Sequence, residues 1–289
     1  MLDSPLSPEE WLEMFQQDAI SETSDVSDRD RAALIMEPAD FEEQLILVEG
    51  LLRRNKAADA QLESERKEII NFIKRSSGSL QERAIDELGE NFYVMVYQGA
   101  AHSMAALGML APMYESMFYH GFQGVRRRYF GLTVIPPNSR RPISDPDMFW
   151  DCHNCYDRET RAVKEQSLVG GIMQLAKAIG LKKHLPEGLP KTIEALFDYR
   201  NFMFHNGFEW PKARCKKFDE RIEKRAWQSW FSKATRGDAP WIFYMTDEFI
   251  DHCIGMIHKL LDAFGAYCKV QAPISMAAEW PWRKARLSS

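Results

Sequence analysis

The chain has 289 residues, 45% of them hydrophobic and 27% charged, which excludes a disordered or fibrous protein and allows a substantial buried core. Its formal net charge of −5 is unevenly distributed, because residues 1–66 carry 17 acidic and 6 basic side chains while the remainder has a net charge of +6. The basic body permits an anionic partner, and the acidic N-terminal third is a candidate segment for binding a regulatory partner.

The cysteine count and the N-terminal sequence both predict a cytoplasmic protein. The N-terminus lacks a charged and then apolar signal segment, and an odd number of cysteines does not suit a disulfide framework. We therefore expect free thiols in a reducing compartment. The five cysteines are Cys152, Cys155, Cys215, Cys253 and Cys268.

The first 120 residues are expected to be helical and to fall into two parts. Residues 1–35 combine a short amphipathic helix at 7–20 with a polar linker. Residues 36–120 contain two helices that begin near 38 and 56, followed by the most apolar stretch of the chain.

This apolar stretch predicts a long helix at residues 80–119, since residues 91–114 contain no Asp, Glu, Lys or Arg. Its length would suit a transmembrane span, but its many Gly and Ala residues and internal polar residues favour a core helix. Glu115 stands alone among apolar neighbours, so we expect it to pair with a cation, for which Arg200 is a candidate. Breaking such a buried pair costs about 3–5 kcal/mol.

Residues 121–150 contain four prolines, which exclude a continuous helix and predict a Pro/Arg-rich loop insertion. Arg126, Arg127 and Arg128 stand beside Tyr129, and a second basic pair, Arg140-Arg141, follows in the same loop. Guanidinium groups next to exposed aromatic rings suit single-stranded nucleic acid, so we predict that this loop contacts RNA. The alternative is a solvated loop whose arginines pair with the acidic N-terminal third.

Cys152 and Cys155 have the spacing of a zinc or redox pair, but no second such pair exists to complete four zinc ligands. We therefore expect no metal and no cofactor, and we keep a zinc-dependent or redox domain as the alternative. A helix is expected from Tyr156 to Gly180, because glycine suits a helix end.

The next helix, at residues 191–206, is central to the prediction of function. Pro190 suits the first helical position, while Asn206-Gly207 followed by Pro211 ends the helix. Apolar residues recur at steps of three and four and predict a buried stripe. They are Ile193, Leu196, Phe197, Met203 and Phe204.

Three polar residues interrupt this helix. Arg200 lies on the apolar stripe, where a buried guanidinium requires an acceptor or a partner. Asn201 and His205 are four residues apart and therefore share one face. His205 lies in the last turn, where the partial negative charge of the helix end favours an imidazolium.

The sequence Arg-Asn-Phe-Met-Phe-His resembles the signature of the HEPN superfamily, an Arg with a polar residue after it and a His four to six residues on. Arg200, Asn201 and His205 match the motif, within a helical surround of about residues 150–270. The resemblance implies a small helical domain and, in many members, a metal-independent endoribonuclease acting as a toxin or antiviral effector. Other members bind nucleotides or serve as scaffolds.

Such a ribonuclease uses the 2′-OH of RNA as its nucleophile and requires no metal. His205 would transfer protons, which is worth typically about 10²–10⁴-fold in rate. Arg200 would bind the phosphate and stabilise its developing charge, and Asn201 would orient the phosphate or the imidazole. The reaction uses a base and an acid, but one motif offers one histidine. We therefore expect a twofold homodimer whose motifs face one composite cleft.

The residues after the motif are predicted to form a charged helix at 212–235. Its Lys212 and Arg214 follow His205 closely and are candidates for binding substrate, although they could also form a solvated face together with Lys216 and Lys217. Residues 240–245 are the one convincing strand. A last amphipathic helix follows, and residues 271–289 form an aromatic and basic tail.

These elements predict an all-α protein with a helical bundle of HEPN type at residues 151–270. The alternative organisation is one domain over residues 36–270, in which the long apolar helix and the motif helix share a core. The predicted function is a metal-independent endoribonuclease. The alternative is a non-catalytic helical module that binds a nucleotide or a protein.

Overall fold

The computed structural model describes residues 27–137, 141–157 and 159–271. Within these ranges the chain is mostly helical, as predicted, with two small antiparallel sheets. The helices are α1 (Asp28–Met36), α2 (Phe41–Arg75), α3 (Ser79–Val125), α4 (Pro146–Trp150), α5 (Leu168–Ile179), α6 (Leu189–Asn206), α7 (Lys212–Arg225) and α8 (Asp247–Val270). The strands are β1 (Asn154–Tyr156), β2 (Val163–Gln166), β3 (Phe231–Arg236) and β4 (Ala239–Met245).

The N-terminal region differs from the prediction in its boundaries. The predicted helix at residues 7–20, Arg140 and the tail after residue 271 lie outside the described residues. The expected polar linker is helical from Asp28 onward, because Ser27 and Asp30 form a capping box. One continuous helix, α2, takes the place of the two helices expected to begin near 38 and 56.

The long apolar helix α3 extends beyond its predicted end. It continues to Val125 and into a π-helical turn at Arg126–Phe130, so the first ten residues of the predicted loop 121–150 are helical. No helix among the described residues is both long and apolar enough to cross a membrane. The helix is instead a core element, with Leu110 and Phe118 fully buried.

The long helix α3 and the motif helix α6 share one hydrophobic core. A single buried cluster takes side chains from α1, α2, α3, α5, α6, α7 and α8 and from the β3–β4 hairpin. Buried tyrosines also join the elements, since the Tyr114 hydroxyl donates to the carbonyl of Cys253 at 2.7 Å and the Tyr267 hydroxyl donates to that of Ile179 at 3.1 Å. The two helices are therefore held in a fixed relation by common packing.

Helix α1 packs unusually closely on two neighbours, at glycines in both cases. A Cβ placed on Gly265 of α8 would lie 1.7 Å from the carbonyl oxygen of Asp28, and one on Gly124 of α3 would lie 1.7 Å from that of Ile35. Only a residue without a side chain allows these approaches.

The predicted helix from Tyr156 to Gly180 is wrong in its first part. Residues 154–166 form the β1–β2 hairpin, whose turn is made by Asp157, because its carboxylate accepts hydrogen bonds from the N–H groups of Glu159 and Thr160, each at 2.9 Å. Helix α5 begins only after Ser167, whose side chain caps it.

The predicted helix at 212–235 is wrong in its second part. Helix α7 ends at Arg225, and Ala226 adopts the left-handed conformation with φ of 53°. Residues 231–236 then form β3, which pairs antiparallel with β4, the strand predicted at 240–245. The local pattern identified one strand of this hairpin and missed its partner.

Aromatic packing holds α6 and α7 together. The rings of Phe202 and Phe218 have centroids 5.0 Å apart, and Trp210 stacks on Phe243 at 5.4 Å. The Tyr199 hydroxyl donates to the carbonyl of Phe243 at 2.9 Å. Each aromatic pair contributes about 0.5–1.5 kcal/mol of stability beyond that of its buried area. These contacts fix the position of α6 relative to α7.

Candidate functional site

The C-terminal half of α6 and the first turns of α7 line a pocket of about 230 Å³. Its lining residues are Asp198, Asn201, Phe202, His205 and Asn206 from α6, with Arg214, Lys217 and Arg221 from α7. Asn201 and His205 therefore share one surface, as their four-residue spacing predicts, and Arg214 lies on it with them.

The pocket is positively charged. Arg221 forms an ion pair with Asp198, whereas Arg214 and Lys217 are exposed and have no ion pair within the part of the chain that the structure describes. Helix α7 also begins at Lys212 without a side-chain cap. Its first N–H groups add partial positive charge beside the two free cations, which favours an anionic ligand.

Arg200 does not line this pocket. Its Nη1 lies 3.5 Å from Oε2 of Glu115 on α3, and its guanidinium also lies over the ring of Phe197 at 5.4 Å. The pairing with Glu115 is the one that the sequence suggested. It is not buried, however, because the two side chains are 37% and 35% exposed.

His153, which sequence reasoning did not select, contacts the same carboxylate. Its Nε2 lies 3.3 Å from Oε1 of Glu115, and its Nδ1 lies 2.8 Å from Oδ1 of Asp151. Burial opposes ionisation of Asp151, but hydrogen bonds from His153 and Asn154 outweigh it and hold the pKa of Asp151 below its ordinary value. Glu115 thus bridges Arg200 and His153.

The predicted apolar stripe of α6 is wrong at Phe204, which is 58% exposed. Tyr199 takes the buried position instead, packed among Trp210, Phe218 and Phe231. Phe204 and Arg200 are four residues apart, so the exposed ring and the guanidinium share one outward face. An isolated periodicity cannot tell a core-facing Phe from an exposed one.

Arg126 of the predicted RNA-binding loop is a structural residue. It is buried, and its guanidinium donates to the carbonyl of Leu132 and lies 2.8 Å from the carboxylate of Asp147. Arg141, the described member of the second basic pair, is also buried and bonds to backbone carbonyls. Neither guanidinium is free to bind RNA.

The remaining predicted loop residues lie outside the pocket lining. Arg127 and Arg128 are exposed at the C-terminal end of α3, about 18 Å along the helix axis from Glu115, which pairs with Arg200 of α6. Tyr129 is half-buried, its hydroxyl donates to the carbonyl of Cys268 at 3.5 Å, and burial raises its pKa. These residues form a surface separate from the pocket, and Lys212 likewise lies outside the pocket lining.

The zinc alternative lacks a ligand set within the described ranges, where no group of three or more His, Cys, Asp and Glu side chains is arranged to hold a metal ion. Cys152 is a buried free thiol, and burial raises its pKa to about 12. Cys155 is free as well.

The sequence contained an overlooked signal for the pocket. Arg214, Lys217 and Arg221 follow one another at steps of three and four, which places all three on one face of α7. Asp198 had no comparable signal, since only the packed structure shows that it neutralises Arg221.

No protein-family model, curated protein or solved structure matches the chain significantly.

Proposed function

We propose that the protein is a metal-independent endoribonuclease of HEPN type, with the pocket between α6 and α7 as its phosphate-binding and proton-transfer site. The observation that carries the proposal is the common pocket of Asn201, His205, Arg214 and Lys217. A phosphodiester is an anion whose cleavage uses proton transfer, and this pocket combines two exposed cations with an imidazole.

The chemistry requires only groups present on the chain and the substrate. A histidine takes the proton from the RNA 2′-OH, whose oxygen attacks phosphorus. Arg214 and Lys217 stabilise the negative charge of the phosphorane. A second histidine protonates the 5′-oxygen as its bond to phosphorus breaks, which leaves a 2′,3′-cyclic phosphate and a 5′-OH. His205 serves one of these two roles, and Asn201 orients the phosphate or the imidazole.

A second copy of the chain would supply the other His205. The outward face that holds Phe204 continues onto α3, where Ala101, Gly108 and Pro112 are also exposed. Small residues on one helix allow close approach, and the Phe204 ring offers an anchor. In this arrangement both copies of Arg200 face the composite cleft, since Arg200 and Phe204 share that face.

The test is cleavage of a mixed RNA pool by wild type and by His205→Gln, each with and without EDTA. We expect cleavage that EDTA does not inhibit, cyclic-phosphate ends, and a loss of at least about 100-fold in His205→Gln. The control is His258→Gln on α8, which removes a histidine outside the pocket. Cleavage that persists in His205→Gln, or that needs a metal ion, contradicts the mechanism.

Lys217→Gln tests the role of the pocket in phosphate binding. We expect weaker RNA binding and a shallower dependence of affinity on salt, because one fewer counterion is released. Lys216→Gln is the matched control, since Lys216 is exposed on the same helix but outside the pocket lining. Equal effects of the two changes would mean that the pocket does not bind the phosphate.

The alternative is a non-catalytic module that binds a nucleotide in the same pocket. The exposed cations Arg214 and Lys217 support nucleotide binding equally well, because binding a terminal phosphate needs cations but no proton transfer. Tight binding of a mononucleotide by a wild-type protein that cleaves no RNA would select this alternative.

A further inference from the structure

A cluster of aromatic side chains lies on the surface next to the end of α6. The rings of Tyr93 and Tyr97, one turn apart on α3, both meet Trp241 of β4 edge-on, with centroids 5.7 and 5.6 Å away. The guanidinium of Arg236 on β3 lies 4.0 Å from the same indole, and Tyr97 also contacts Phe208 at 6.4 Å. We call these five residues the aromatic ledge.

The charges on the aromatic ledge are close to balanced. Glu209 accepts a hydrogen bond from the Tyr97 hydroxyl and another from the Trp241 indole N–H at 3.0 Å, and these bonds lower the pKa of Glu209. Arg236, which has no ion pair among the described residues, places a positive charge near this carboxylate. The ledge therefore presents aromatic faces rather than a net negative charge.

The exposed aromatic surface of the ledge is held rigidly. Trp241 is only 7% exposed and packs in a small hydrophobic cluster between α3 and the β3–β4 hairpin. Tyr93 remains 47% exposed while its ring contacts that indole. A flat ring that is already held by packing loses little conformational entropy when another flat ring stacks on it.

The aromatic ledge and the charged pocket lie on either side of the short connection between α6 and α7. Phe208 of the ledge follows His205 by three residues, and Arg214 of the pocket lies in the first turn of the next helix. A neutral stacking surface beside a cationic pocket matches the two parts of a nucleotide, a flat base and a phosphate.

We propose that the aromatic ledge binds bases of single-stranded RNA next to the phosphate held in the pocket. This inference rests on the proposed function, and it adds the substrate class. Base pairs of a duplex are stacked within the helix and cannot lie on a protein ring, whereas unpaired bases can. Tyr93 and Arg236 present the exposed stacking surfaces, and Trp241 supports both.

The test uses the full chain and a short fluorescent oligouridine whose 2′-O-methyl groups prevent cleavage, with binding followed by anisotropy. We expect Tyr93→Ala to weaken binding by at least about fivefold, the lower end for one stacked base. Tyr93→Phe keeps the ring and should bind as wild type does. The control Tyr119→Ala removes an equally exposed tyrosine, 50% against 47%, about 39 Å further along the same helix.

The ledge is supported if oligouridine binding falls in Tyr93→Ala but is kept in Tyr93→Phe and in Tyr119→Ala, even if natural RNA is never cleaved. In that case the ledge stands and the nuclease proposal fails. Conversely, cleavage of natural RNA together with equal oligouridine binding by wild type and Tyr93→Ala overturns the ledge alone. Tyr93→Leu checks folding, since its melting temperature should match that of wild type while its binding falls as in Tyr93→Ala. A preference for duplex RNA also overturns the proposal.

Discussion

The guanidinium of Arg200 and the carboxylate of Glu115 form an ion pair, with 3.5 Å between Nη1 and Oε2. This pair joins the motif helix α6 to the long helix α3. Arg200 and Asn201 are successive residues, so they point about 100° apart around α6. Asn201 therefore lines the pocket while Arg200 lies beside Glu115. Through its other oxygen, Glu115 also contacts His153.

Removing this carboxylate should affect binding more than stability. We expect Glu115→Gln to change the free energy of unfolding by no more than about 1 kcal/mol, because the pair is partly exposed to solvent. RNA affinity should rise by up to about fivefold, since Glu115 no longer competes with phosphate for Arg200. Urea unfolding and a salt-controlled binding assay measure the two effects. Glu87→Gln on the exposed start of α3 is the control, and a stability loss of several kcal/mol would show that the pair is structural.

The exposed ring of Phe204 should contribute to the proposed dimer. We expect Phe204→Asp to weaken self-association by at least about tenfold, because a charge replaces a hydrophobic anchor at the contact. The monomer should stay folded, since the side chain is already exposed, with a change in stability within about 0.5 kcal/mol. Sedimentation equilibrium measures the change. Leu47→Asp, at an exposed apolar position on α2, is the matched control. A similar loss in both variants would argue against a specific contact.

The close approach of α1 to α8 predicts that alanine substitutions at two glycines of α8 have opposite effects on stability. We expect Gly265→Ala to destabilise the protein by about 1–3 kcal/mol, because the new Cβ would overlap the carbonyl of Asp28. A Cβ placed on Gly255 would have no neighbour within 4 Å, so Gly255→Ala should stabilise the helix by about 0.5–1 kcal/mol. Denaturant unfolding of both variants measures the two changes in the free energy of unfolding. Equal changes would mean that α1 is not seated on α8.

Stability should fall as the pH drops through the range in which histidine titrates. Burial lowers the pKa values of His120, His184 and His252 from the ordinary 6.5, and Lys259 and Lys191 add to the effect at His252. The unfolded chain then binds protons first, so the free energy of unfolding decreases as the pH falls below about 6.5.

Urea unfolding between pH 7.5 and 5.5 measures this slope. Carboxylates contribute little there, because their ordinary pKa values lie near about 4. His252→Gln should reduce the slope. In the wild type, Nε2 of His252 lies 2.9 Å from the Thr192 hydroxyl, and the amide of the introduced glutamine can make the same contact. Stability that rises toward pH 5.5 would contradict the prediction.

Local chemistry within the sequence determined much of the helical framework. Apolar periodicity predicted the long helix α3 and the last helix α8, and Pro190 with Asn206-Gly207 predicted where α6 begins and ends. Gly207 adopts a φ of 69°, and its N–H bonds to the carbonyl of Met203 at 2.8 Å, as expected for a glycine after a helix. These signals act within a few residues, so they can be recognised without knowing the rest of the fold.

Strand pairing and the environment of each charged side chain were decided only by the tertiary structure. Residues 231–235 resembled a continuation of α7 until β4 provided their hydrogen-bonding partner. Arg126 and Arg214 are both arginines in basic runs, yet one is buried against Asp147 and the other lines the pocket. Such differences depend on residues that are distant in sequence, because the cost of burying a charge is set by which partner the fold brings to it.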